Sequence, residues 1–191
     1  GLIIAVLSPV LGAIADGSGR RLAWIWLFSA MYVTGSFALW WTLPDMPVLF
    51  WPVFWFSLGF IGMELATNFT NALMPDLVGR EEMGRVSGTG FAFGYAGGVL
   101  ALGLVLLFLA ENGETGKTLL GLDPAFGLDA ALREGTRSVG PFTALWYALF
   151  ILPFFLWVHE PTRRGPVTGV LASLGILWGQ IRDLRRRRSL A

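Results

Sequence analysis

Apolar residues gather into five long runs, at 1–15, 22–43, 48–72, 86–110 and 140–158, with the charges concentrated between them. A bilayer core about 30 Å thick is crossed by roughly 20 helical residues. Four runs reach or approach that length. The first is shorter, as expected of a span whose start lies outside this chain. Membrane strands would alternate apolar and polar positions over about 10 residues. These runs are apolar on every face, so the pattern predicts helices and an all-α membrane protein.

Composition agrees with the pattern. The chain is 54% hydrophobic and 14% charged, where a soluble domain carries about 25% charged residues. It has no cysteine, which excludes a disulfide-stapled secreted domain and any thiolate metal site. No basic segment precedes the first run, so that run does not read as a signal peptide. The chain is expected to begin inside or just before a span.

The net charge of +1 conceals an asymmetry. Arg20 and Arg21 lie between the first two runs, and Arg80 and Arg85 between the third and fourth. Arg163, Arg164, Arg182 and Arg185 to Arg188 follow the fifth. Eleven of the fourteen basic residues therefore fall on one side, with only Lys117, Arg133 and Arg137 opposite. The positive-inside rule assigns the richer side to the cytoplasm. Trp24 and Trp26 near one end of the second run, with Trp40 and Trp41 at the other, suit two interfacial belts.

Residues 1–160 thus read as a transmembrane bundle and 161–191 as a basic amphipathic cytoplasmic linker. In the linker, Val170, Leu174, Leu177, Trp178, Ile181 and Leu184 recur at helical spacing ahead of the arginine cluster. Such a helix suits the surface of an anionic leaflet. A solvated connection between two membrane halves fits the same residues.

Polar residues inside the spans are the candidate chemistry. Glu64 sits in the third run, with Asn68 and Asn71 four and seven residues later on the same helical face. An acid at the bilayer centre costs about 2.5–3.5 kcal/mol on insertion scales. The ten Val, Leu, Ile and Phe residues between Val48 and Leu65 return about 0.3–0.6 kcal/mol each. The span inserts, and Glu64 is expected to face protein or a wet cavity. Two roles stay open for it: a packing pair with a neighbouring helix, or substrate and proton handling.

In the fourth run Gly90, Gly94 and Gly98 recur every four residues. A stripe of small residues lets another helix approach closely, and the same smooth face suits helices that slide. Pro153 suggests a kink in the fifth run, and His159 reads as an interface residue. One histidine and no cysteine leave no catalytic or metal cluster. "GETGKT" at 113–118 is too short for a phosphate-binding loop and follows no strand. No enzyme activity, cofactor or nucleic-acid partner is expected.

The stretch Gly12-Ala13-Ile14-Ala15-Asp16-Gly17-Ser18-Gly19-Arg20-Arg21 resembles the loop signature between the second and third helices of major facilitator superfamily transporters. Gly12, Asp16, Gly19, Arg20 and Arg21 match, whereas Gly17 stands where the family has a base. "NALMPDL" at 71–77 and "GRVSG" at 84–88 are similar to the vacuolar amino-acid effluxer branch and its bacterial relatives. The resemblance implies helices two to six of an N-terminal six-helix bundle, with the first helix and the C-terminal half outside this chain. It also implies alternating access about a midplane site, with Asp16 as a gating latch and Arg20 and Arg21 as its local bases. Gly12 and Gly19 would supply close packing and the tight turn. The implied function is secondary transport of a small solute, with amino-acid efflux as the family guess, by an integral protein of a bacterial inner membrane. A non-transporting scaffold or receptor with the same fold is the alternative.

Overall fold

A computed structural model describes residues 10–12, 14–15 and 20–159. All of its regular structure is helical among the described residues. Four segments are long and apolar enough to cross a membrane: Arg21–Trp41, Phe50–Leu77, Met83–Leu109 and Glu134–Trp157. Helix α1 is Arg21–Ala38, closed by a 3-10 turn Leu39–Trp41. Helix α2 is Phe50–Leu77, and α3 is Met83–Leu104, ending in a π-turn Val105–Leu109. A single turn, α4 (Glu134–Arg137), leads into α5 (Val139–Trp157). Of the first predicted span, residues 10–12 and 14–15 are described and are helical. Asp16, Gly19 and the linker 161–191 lie outside the described residues.

The helices end where hydrogen bonding ends rather than where hydrophobicity does. The third apolar run stops at Ala72, but α2 continues through Pro75 to Leu77. The missing proline N–H interrupts one ladder bond, and the helix still closes with Val78 donating to the Met74 carbonyl. Pro153 likewise lies inside α5 without breaking it.

Helix α1 lies between α2 and α5. Close contacts run from Gly35 to Gly59, from Phe28 and Tyr32 to Gly62, and from Arg21 to Asp76. Positions ascending in one helix meet positions descending in the other, so α1 and α2 are antiparallel. Contacts of Ser36 with Gly140, Ser29 with Tyr147 and Trp26 with Phe155 make α5 antiparallel to α1 as well. This alternation places the loops carrying Arg20, Arg21, Arg80 and Arg85 at one end, and residues 42–49 and 110–138 at the other.

Backbone proximity holds α1 against α2. A Cβ on Gly35 would lie 2.6 Å from the Gly59 nitrogen, and one on Gly62 would lie 2.7 Å from the Phe28 carbonyl oxygen. Lipid supplies no hydrophobic drive between helices, so dispersion across such contacts carries the association. Towards the arginine-rich end, Ala15, Ile25, Phe28, Leu65, Ala66, Phe69 and Leu73 form the buried core. There the Phe28 and Phe69 rings meet edge to face at 5.2 Å.

Candidate functional site

Arg21 opens α1 with its side chain 14% exposed, and its Nη1 lies 2.7 Å from Asp76 Oδ2 in the last turn of α2. The same nitrogen donates to the Ala72 carbonyl at 3.2 Å. Because α2 runs past the apolar span, Asp76 stands level with the start of α1. Pro75 has no N–H for the Asn71 carbonyl, and Arg21 reaches the next carbonyl along, that of Ala72. Of the predicted latch residues, Gly12, Arg20 and Arg21 are described. Among the described residues nothing lies within 4 Å of a Cβ built on Gly12, and Arg20 is exposed. Sequence reasoning missed Asp76, although it falls inside the "NALMPDL" stretch. An acid four residues past the end of an apolar run, beside a proline, was the available signal.

Glu64 is half-buried on α2 and forms no hydrogen bond or ion pair among the described residues. Asn68 is exposed and engaged, and Asn71 is exposed. Asn71 also belongs to a second face of the helix with Thr67 and Met74. That face lines a groove of about 530 Å³ whose other wall is α3, with Ser87, Gly90, Gly94, Tyr95 and Gly98. The structure thus brings one predicted pathway residue and all three predicted packing glycines to one groove, without Glu64. A Cβ built on Gly90, Gly94 or Gly98 meets nothing within 4 Å among the described residues. The tight helix contacts of the described chain lie instead at Gly35, Gly59, Gly62 and Gly140. The signal for these was a glycine pair three residues apart inside a span, and a Gly-Ser step in α1.

A second cavity of about 750 Å³ lies between α1, α2 and the start of α5, at the other end. It holds Trp55 and Thr42, whose Nε1 and Oγ1 are buried with no hydrogen-bond partner among the described residues. Its rim includes Arg137, which donates from Nε to the Trp40 carbonyl at 2.8 Å and sits 4.9 Å above the Trp40 ring.

Beside it the loop after α3 is tied down by a buried acid. The Glu111 side chain is fully enclosed and accepts from the Thr136 backbone N–H at 3.0 Å and the Thr136 hydroxyl at 2.7 Å. Arg133 Nε lies 3.2 Å from its Oε1. Gly135 lets this happen, since a Cβ there would collide with the Leu109 carbonyl and the Glu111 carboxylate. An acid in the first turn of a helix is electrostatically favourable, and here the acid comes from another segment.

Comparison with known proteins places this arrangement. No family model matches the chain, and no solved structure matches it. An uncharacterised MFS-type transporter of Bacillus subtilis, YxiO, is 26% identical over 164 residues, covering 83% of this chain and 34% of that protein. The chain therefore spans about a third of the length of this relative. Over that stretch the chain is similar to a protein named as a major facilitator transporter. With four apolar spans, this likeness supports an integral, multi-pass membrane protein and a partial facilitator fold.

Proposed function

We propose that the chain is part of the N-terminal six-helix bundle of a secondary active transporter that moves a small solute by alternating access, with amino-acid efflux as its reaction. The observation that carries this reading is the Arg21–Asp76 pair at the arginine-rich end. It ties the signature loop to the far end of α2, so a shift of either helix is felt by the loop. Asp16 is the latch acid, with Arg20 and Arg21 as its bases and Gly12 and Gly19 shaping the turn. Half-exposed ion pairs contribute about 0–1 kcal/mol, weak enough to open in every cycle. Glu64, half-buried with no counter-ion among the described residues, handles the coupling proton or the solute together with Asn68 and Asn71. The face carrying Gly90, Gly94 and Gly98 receives another helix of the complete transporter. A first helix completes the bundle and a C-terminal half the transporter, the bacterial inner membrane is its site, and 161–191 serves as the linker between the halves.

The test is flux of radiolabelled amino acids in vesicles holding the complete protein. The expected result is gradient-dependent transport of at least one amino acid that Asp16→Asn abolishes without loss of insertion. Absence of flux across a broad solute panel would favour the scaffold, and transport unchanged by Asp16→Asn would remove the latch.

A further inference from the structure

We propose that the loop between α3 and α5 is an interfacial anchor, resting Leu119, Leu120, Leu122 and Phe126 in the hydrocarbon edge of the leaflet opposite the arginine-rich loops. The first observation is depth. In the π-turn that ends α3, Ala110 donates to the Val105 carbonyl at 2.8 Å, so the Leu106 carbonyl keeps no helical partner. The Leu119 backbone N–H takes it at 3.0 Å. Leu106 lies three residues inside the span, roughly 4.5 Å below its end at 1.5 Å per residue. The loop is therefore folded back alongside the last turn of a membrane helix and does not stand out in water.

The second observation is how the polar groups are spent. Thr118 donates to the Leu122 carbonyl and Gly121 to the Thr118 carbonyl, each at 2.8 Å. The Asn112 N–H reaches the Lys117 carbonyl at 2.8 Å, and Lys117 Nζ pairs with Asp123 at 2.6 Å. Irregular backbone survives beside hydrocarbon when its hydrogen bonds are made internally, and this turn pairs the N–H groups of Thr118, Leu119 and Gly121, while the buried Thr118 hydroxyl has no partner among the described residues. The third observation is what remains outside. Leu119 is 73% exposed, Leu120 52%, Leu122 55% and Phe126 92%. Phe126 has a left-handed φ of 64°, beside Gly127 at 71°. Four large apolar side chains displayed from a turn of paired polar groups match a membrane interface, where apolar surface is buried and a neutralised charge pair sits at headgroup level. The exposed flank of α3, with Leu106 itself 41% exposed, continues this apolar surface into the span.

The absence of cysteine makes the test direct. Single cysteines at Leu119, Leu120, Leu122 and Phe126 of the complete protein are nitroxide-labelled in phosphatidylcholine–phosphatidylglycerol vesicles. Collision rates with oxygen and with a water-soluble nickel chelate are measured by power saturation. Glu114 serves as the aqueous reference and Leu149, exposed on α5, as the hydrocarbon reference. The expected oxygen-to-nickel ratio at the four sites is several-fold above that at Glu114 and below that at Leu149. A ratio equal to that at Glu114 places the loop in water and overturns the proposal. Suppression of both collisions shows a covering protein surface and overturns it equally. Phe126→Cys and Leu120→Cys replace fully or half-exposed side chains, so the reading survives if Leu119→Cys fails to fold.

Discussion

Arg21 and Asp76, fifty-five positions apart, meet at 2.7 Å where α1 begins and α2 ends. The contact joins an arginine of the signature loop to an acid that follows the apolar part of a different span. It is exposed enough for water and salt to compete with it.

A double-mutant cycle measures its strength. Arg21→Ala and Asp76→Asn are expected to show a coupling of about 0.2–1 kcal/mol in stability. That corresponds to at most about a fivefold change in the balance between conformations. A coupling within error of zero in low salt would remove the pair from the latch.

Packing at Gly35 predicts a contrast between glycines. Gly35→Ala forces a methyl onto the Gly59 backbone and should destabilise the detergent-solubilised chain by about 1–3 kcal/mol, seen as a lower Tm. At Gly94 an added Cβ meets nothing within 4 Å among the described residues, so Gly94→Ala should leave the 191-residue chain unchanged while destabilising the complete transporter. Equal effects in both would show that no further helix uses the stripe.

Breaking the enclosed carboxylate should loosen the loop it holds. Glu111→Gln is expected to cost about 1–3 kcal/mol and to speed tryptic cleavage at Lys117 and Arg133 in vesicles that expose this side. Unchanged proteolysis would mean that Gly135 and the backbone bonds suffice.

Inside the span, Ser29 Oγ and Tyr147 OH lie 2.8 Å apart. Side-chain bonds between membrane helices average about 0.6 kcal/mol, so Tyr147→Phe should lower stability by about that amount, read from reversible unfolding in mixed micelles. A loss several times larger would point to the edge-to-face contact of Tyr147 with Tyr32 being disturbed as well.

The spans were legible because their signal is local. Apolar length alone located 22–43, 48–72, 86–110 and 140–158, each within five residues of the ends of the helical segments Arg21–Trp41, Phe50–Leu77, Met83–Leu109 and Val139–Trp157. The largest difference, at the end of α2, arose because hydropathy stops where the membrane does and a helix need not. The pairings were not local. The resemblance makes Arg21 a local base for Asp16, which lies outside the described residues, while Asp76 comes to Arg21 only through the antiparallel fold of α1 on α2. The conspicuous glycine stripe of α3 drew attention, yet the tight contacts fell at Gly35, Gly59 and Gly62, because periodicity marks a smooth face and not what lies against it. Nothing in "ENGETGKTLL" announced that Glu111 would be enclosed by a turn more than twenty residues later.

The glycine contact between α1 and α2 has a mechanical consequence. Where two backbones touch without side chains between them, one helix can tilt on the other about the point of contact. Gly35 lies fourteen residues from Arg21, roughly 21 Å at 1.5 Å per residue. A tilt of about 5° there swings the far end by roughly 2 Å on that arm, enough to part a 2.7 Å ion pair. Because Phe28, Phe69 and Leu73 pack between that crossing and the charged end, such a tilt carries the core with it, and the ion pair opens only where the core gives.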